Sequence, residues 1–169
     1  MDVPSTQFHP PELETGTIYF VDEPRADLLL KVFGSMQSHG HQGLFITRMA
    51  PKKIRATANF ENVPLIWLST TPTSEVKTID PSSISRLYST VLGFMSSAKQ
   101  PVVLLDGLDF LIFVNSYNHI LRMLHTLYEK IVLTEGILLL GISRPTLTQV
   151  EWSLLTKDMV EIPPISPNW

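Results

Sequence analysis

The chain has 169 residues, 44% of them hydrophobic and 17% charged, with a net charge of −3. Such a composition builds one packed domain and excludes an intrinsically disordered chain, which needs low hydrophobicity and high charge. The acidic balance argues against a protein that coats nucleic acid, and the absence of cysteine excludes disulfides, thiolate metal sites and cysteine nucleophiles.

Residues 1–15, with Pro4, Pro10 and Pro11, read as a loose arm, without the basic and apolar stretches of a signal peptide. Thr17–Val21 is β-branched and aromatic and predicts a strand. A helix follows from Pro24 to about Gln37, with Leu28, Leu29, Val32, Phe33 and Met36 on one stripe. Gly43–Thr47 predicts a second strand, Lys52–Thr57 a short helix after Pro51, and Leu65–Ser69 a third strand. Thr70–Thr78 is rich in Ser and Thr and reads as a linker. Asp80-Pro81 has the form of a helix opening, with a capping side chain and then proline at the first helical position. Ile84, Leu87, Tyr88, Val91, Leu92 and Met95 continue at helical spacing.

Pro101–Asp106 is a buried-type strand, Leu108–Asn115 is apolar and fits either element, and Asn118–Thr134 is a helix that Gly136 stops. Ile120, Met123, Leu124, Leu127 and Ile131 form its inner face. Ile137–Ser143 is a fifth strand, and Pro145 opens a helix carrying Leu147, Val150 and Leu154. Met159–Ile162 suits an edge strand, and residues 163–169 form a proline-rich tail that cannot be helical. Strands and helices alternate, and the strands are near-continuously apolar. That pattern predicts one α/β domain over residues 16–162, a three-layer α/β/α sandwich around a mostly parallel sheet of five or six strands. The longest apolar runs are far short of the ~20 residues that span a bilayer, so the expectation is a cytoplasmic protein without a membrane partner.

In open parallel sheets, ligands sit beyond the carboxyl ends of the strands. That rule selects Arg25, Arg48, Ser69, Asp106, Asp109 and Arg144 as ligand- or partner-binding candidates. Asp106 ends an apolar strand, where a carboxylate either helps hold magnesium for a nucleotide or caps the next turn. Asp106 and Asp109 together form either a magnesium or acid–base pair, or a turn cap and an ion-pair partner for Arg48 or Arg144. Arg48, Lys52, Lys53 and Arg55 make either an anion- or partner-binding patch or a solvated loop with one structural arginine. His119 and His125 are six apart, about 600° around a helix, so they cannot share a metal as an i, i+4 pair does. No Gly-x-Ser-x-Gly elbow is present. Trp67 and Trp152 read as packing residues. No metal, cofactor or catalytic residue is expected.

A phosphate cradle after the first strand needs several glycines, so that backbone N–H groups approach the phosphates, plus a Lys-Ser/Thr pair. Here the first strand leads into Asp22-Glu23-Pro24-Arg25-Ala26-Asp27, with no glycine and three carboxylates. Negative charge at a helix N-terminus stabilises that helix. The corner therefore fills its own anion site, with Arg25 the one phosphate contact left.

The layout resembles the RecA-like branch of P-loop proteins, especially the KaiC-like ATPases of archaea and bacteria. The resemblance rests on residues 16–21 as first strand, 43–46 as second, 102–106 as a Walker B-like strand and 137–143 as the next. The cradle is the part that does not carry over. The sequence more closely resembles an archaeal family known as domain-of-unknown-function family 835. The resembling residues are Gly43-Leu44-Phe45-Ile46-Thr47-Arg48, Pro51, Trp67-Leu68-Ser69, Asp80-Pro81, the run from Leu104 to Ile112 and the helix from Asn118. That family, found alone or joined to sensor kinases and response regulators, implies a regulatory role and supplies no catalytic residues.

Together these readings point to a non-enzymatic protein-interaction module of archaeal signalling. Its expected partner is a sensor kinase, a response regulator or a second copy of itself. The alternative is a sensor of a nucleotide or small anion, with Arg25, Arg48, Ser69 and Arg144 at the ligand and Asp106 on a metal.

Overall fold

The computed structural model describes residues 11–22, 26–57 and 62–163. In chain order the elements are β1 (Thr17–Asp22), α1 (Ala26–Ser38), β2 (Gln42–Thr47), α2 (Pro51–Thr57), β3 (Leu65–Leu68), β4 (Lys77–Ile79) and α3 (Ile84–Ser97). There follow β5 (Pro101–Leu105), α4 (Leu108–Asn115), α5 (Tyr117–Thr134), β6 (Ile137–Ile142), a 3-10 turn at Arg144–Thr146, α6 (Gln149–Thr156) and β7 (Val160–Glu161). The strands form one seven-stranded sheet in the order β4-β3-β2-β5-β6-β1-β7. Every pairing is parallel.

The alternation of side chains along each strand splits the core into two layers. Tyr19, Val21, Phe45, Val102, Leu104, Ile137 and Leu139 pack against Leu29, Val32, Phe33 and Met36 of α1 and Ile54 of α2. On the opposite face Ile18, Phe20, Leu44, Ile46, Val103, Leu105, Leu138 and Leu140 meet α3, α4, α5 and α6. The central strands β5 and β6 are buried along their whole length, while β7 at one edge is exposed. That difference is why β5 and β6 read as unbroken apolar runs. The predicted inner face of α5 is buried residue for residue.

Several expectations change. The sheet has seven strands, and it is wholly rather than mostly parallel. The added strand is β4, which overlaps the end of the segment read as a linker; Thr78 and Ile79 pair with Trp67 and Leu68 of β3. Asp80-Pro81 does not open α3. Instead, the Asp80 carboxylate accepts the Ser82 N–H at 2.9 Å and the Ser82 hydroxyl at 2.8 Å, closing a turn before the helix begins. This holds the Asp80 carboxyl below its ordinary value.

The left-handed residue ending α5 is Glu135, at φ 55°, not Gly136. Gly136 is glycine for a packing reason: a Cβ there would run into the Met95 sulfur. Pro145 opens only the 3-10 turn; α6 starts after Thr148, whose side chain forms a capping box with Glu151. The buried residue of α6 is Leu155, and Val150 and Leu154 stay 69% and 47% exposed. The proposed arm is described only from residue 11, where Leu13 packs on the core and the Glu14 N–H donates to the Tyr19 hydroxyl at 2.8 Å. The tail beyond Pro163 lies outside the described residues. Among the described residues, no helix is long and apolar enough to cross a membrane.

Candidate functional site

From β2 the chain moves outward through β3 to β4; from β5 it moves the other way through β6 to β7. Neighbouring strands whose connections diverge leave a crevice at their carboxyl ends. The pair β2 and β5 is that switch point, and it delivers Thr47-Arg48 beside Asp106-Gly107.

Thr47 is the buried polar side chain of the described residues. Its hydroxyl donates to Asp106 Oδ2 at 2.9 Å and accepts the Met49 N–H at 2.9 Å. The Asp106 N–H donates to the Ile46 carbonyl at 2.9 Å, extending the strand pairing one step. Burial pushes the Asp106 carboxyl above its ordinary value; the Thr47 hydroxyl pulls it back, the charge of Asp109 adds to the rise and the Gly107 N–H opposes it. Gly107 then turns the chain at φ 98°, and α4 starts at the next residue. A Cβ on Gly107 would lie 3.3 Å from the Arg48 Cβ. Gly107→Ala is therefore expected to cost about 1–2 kcal/mol, the penalty of a left-handed conformation, with Arg48 displaced. Denaturant unfolding measures the loss, and a neutral substitution would show that the turn tolerates a side chain.

Arg48 is exposed, with its guanidinium carbon 3.3 Å from the centre of the Phe110 ring. The Trp67 indole N–H fixes the Arg48 backbone from the neighbouring strand, donating to its carbonyl at 3.2 Å. Sequence reasoning offered one of Asp106 and Asp109 as an ion-pair partner for Arg48 or Arg144. In the structure both guanidiniums lie over aromatic rings, Arg144 over Trp152 at 5.2 Å. Trp152 in turn meets Phe20 edge-on, at 5.5 Å and 83°.

Two cavities open at this edge. The larger, about 620 Å³, is lined by Arg48, Asp109, Phe110, Ile112, Phe113 and Thr146. The smaller, about 80 Å³, lies on the α1 side, with Leu29, Leu30, Phe45, Met49, Leu104 and Gly141 around the Asp106 carboxyl. Asp106 and Asp109 thus serve different cavities. Ser69 lines neither: its hydroxyl accepts the Thr71 N–H at 3.0 Å and its own N–H donates to the Ile79 carbonyl at 3.1 Å, shaping the turn between β3 and β4. Arg25 lies outside the described residues. Asp22 ends β1 with one carboxylate oxygen buried and without a hydrogen-bond partner among the described residues, and Asp27 is exposed in the first turn of α1. His39 and His119 bond the carbonyls four residues back, and His41 that of Gln100. No group of three metal-ligating side chains forms among the described residues.

Three residues of this edge went unforeseen. Thr47 reads as the last β-branched residue of a strand, Trp67 as core, and Phe113 as one more apolar residue in an apolar run. Phe113 is 86% exposed. The only hint of its role was the ambiguity of Leu108–Asn115, whose hydrophobicity is spread around the helix instead of gathered on one face.

The molecule is thus a parallel α/β domain whose charged and aromatic groups gather at the switch point of its sheet. It belongs to the family described as Protein of unknown function (DUF835), which matches residues 23–159. A solved structure described as a structural study of Project ID PH0250 from Pyrococcus horikoshii OT3 has the same fold, with a TM-score of 0.60 at 15% identity, covering 90% of this chain and 84% of that one. No curated protein matches the sequence.

Proposed function

We propose that this domain is a non-catalytic protein-interaction module of archaeal signalling, working through the carboxyl edge of its sheet. The observation that carries this reading is Phe113, 86% exposed on the cleft that Arg48 and Phe110 line. Exposed aromatic and arginine side chains around a cleft are the residue types that dominate binding energy in protein interfaces. The proposed partners are a sensor kinase, a response regulator or a second copy of the chain, as the family resemblance implies.

We further propose that the scaffold is a RecA-like domain that has lost its phosphate loop. Asp106 at the carboxyl end of β5 supports this, and the carboxylates of Asp22 and Asp27 flanking the β1–α1 connection weigh against triphosphate binding there. A nucleotide or anion sensor is the second reading, favoured by Arg48, which has no ion-pair partner among the described residues, beside a 620 Å³ cleft.

Thermal unfolding with ATP and GTP, with and without magnesium, separates the two. A nucleotide at a hundred times its Kd adds about 2.7 kcal/mol, or roughly 5–11 °C in a chain of this size. The expected shift is under about 1 °C on that scale. A shift of several degrees that disappears in Arg48→Ala would replace the interaction module with a sensor. Magnesium-dependent phosphate release abolished in Asp106→Asn would make the domain an enzyme.

A further inference from the structure

Resting on the carboxyl edge as a docking surface, we propose that the segment it receives is an acidic peptide with one large apolar side chain, seated against Phe113 and Phe110 with a carboxylate on Arg48. The cleft is an open groove of about 620 Å³. It takes one or two side chains of a passing segment, and Phe113, 86% exposed, stands ready as the apolar contact.

The guanidinium of Arg48 stacks by one face on Phe110 at 3.3 Å. Stacking uses the plane and leaves the N–H donors at its rim, the geometry that takes a carboxylate in a two-pronged grip. Arg48 has no ion-pair partner among the described residues. An arginine already held against a ring also loses less rotamer freedom on binding.

The surrounding charge selects the sign of the partner. Arg144 is exposed on the 3-10 turn that supplies Thr146 to the cleft. At the cleft itself two arginines, Arg48 and Arg144, stand against the one carboxylate of Asp109, so an acidic segment is favoured there over a basic one. Asp109, on the cleft wall, bars a carboxylate beside it and so fixes which end of the segment lies on Arg48.

The test is fluorescence polarisation of the full chain with three labelled twelve-residue peptides. One carries Asp and Glu around a central Leu-Trp, one replaces each acid by its amide, and one replaces Leu-Trp by Ala-Ala. The first is expected to bind at least tenfold more tightly than either other, with affinity falling as salt rises from 50 to 300 mM on the scale set by the Debye length. Arg48→Met, which keeps the stem but not the charge, and Phe113→Ser, a surface change that leaves the core intact, are each expected to weaken it about tenfold, near 1.4 kcal/mol. Equal binding of acidic and amide peptides, with loss in Phe113→Ser, overturns the acidic partner and leaves the docking surface standing. No binding of any peptide at 1 mM overturns the proposal, and a nucleotide-induced thermal shift would then remove the docking surface as well. Concentration-dependent self-association abolished by Phe113→Ser replaces the acidic segment with a second copy of the chain.

Discussion

Replacing Phe33 with alanine is expected to remove about 3–5 kcal/mol of unfolding free energy, the range for truncating a buried phenylalanine. The ring is fully buried between α1 and the sheet, tilted against Phe45 with centroids 6.0 Å apart. β2 comes so close beneath it that a Cβ on Gly43 would stand 2.7 Å from Phe33 Cζ. The glycine is there to admit the ring, so at that position the strand has no side chain to fill the space the ring leaves. Domains hold only about 5–15 kcal/mol in all, and this loss should lower Tm by roughly 6–20 °C. Urea unfolding measures it directly; a cost under about 1 kcal/mol would mean the layer closes up around the gap.

Thr47→Val is expected to cost about 2–3 kcal/mol at pH 7, because the Asp106 carboxylate loses its hydroxyl donor and the Met49 N–H its acceptor. Valine matches threonine in shape, so the loss reports hydrogen bonding and not volume. The effect should depend on pH in a definite direction. Burial raises the Asp106 carboxyl, so the fold favours its protonated form. That contribution is complete below the ordinary aspartate value and is lost as pH rises through the raised one. Removing the hydroxyl that pulls the value down lifts it further, so the cost of Thr47→Val grows from pH 4 to pH 7. In an Asp106→Asn background the growth should vanish. Equal costs at both pH values would show that the pair is not electrostatically linked.

The strands that cross the middle of the sheet were plain in the sequence because both their faces are covered, leaving an apolar run such as Val102–Leu105 with no other explanation. β4 was not, since three residues in a Ser/Thr-rich stretch become a strand only through β3 beside them, a non-local cause. The spacing of Leu147, Val150 and Leu154 suggested a buried face; Leu147 does pack on the core just ahead of α6, but Val150 and Leu154 stay exposed while Leu155 is buried and Trp152 lies against Phe20. The candidate site was legible as an edge and not as an arrangement. Arg48 and Asp106 follow from where their strands end. That Arg48 would lie on Phe110, or that Thr47 would hold Asp106, depends on which strands become neighbours, and no local pattern encodes the order β2-β5.

The register of β1 has a temporal consequence. Its hydrogen-bonded neighbours are β6, where Thr17 faces Ile137, and β7 at Val160 and Glu161. The first strand of this domain therefore waits for almost its last. At about 5–20 residues per second, Tyr19 and Phe20 stay without a partner strand for roughly 6–25 s of synthesis. Throughout that wait a sticky segment is open to chaperones and to neighbouring nascent chains, and docking of β1 becomes a late, slow step that seals the sheet.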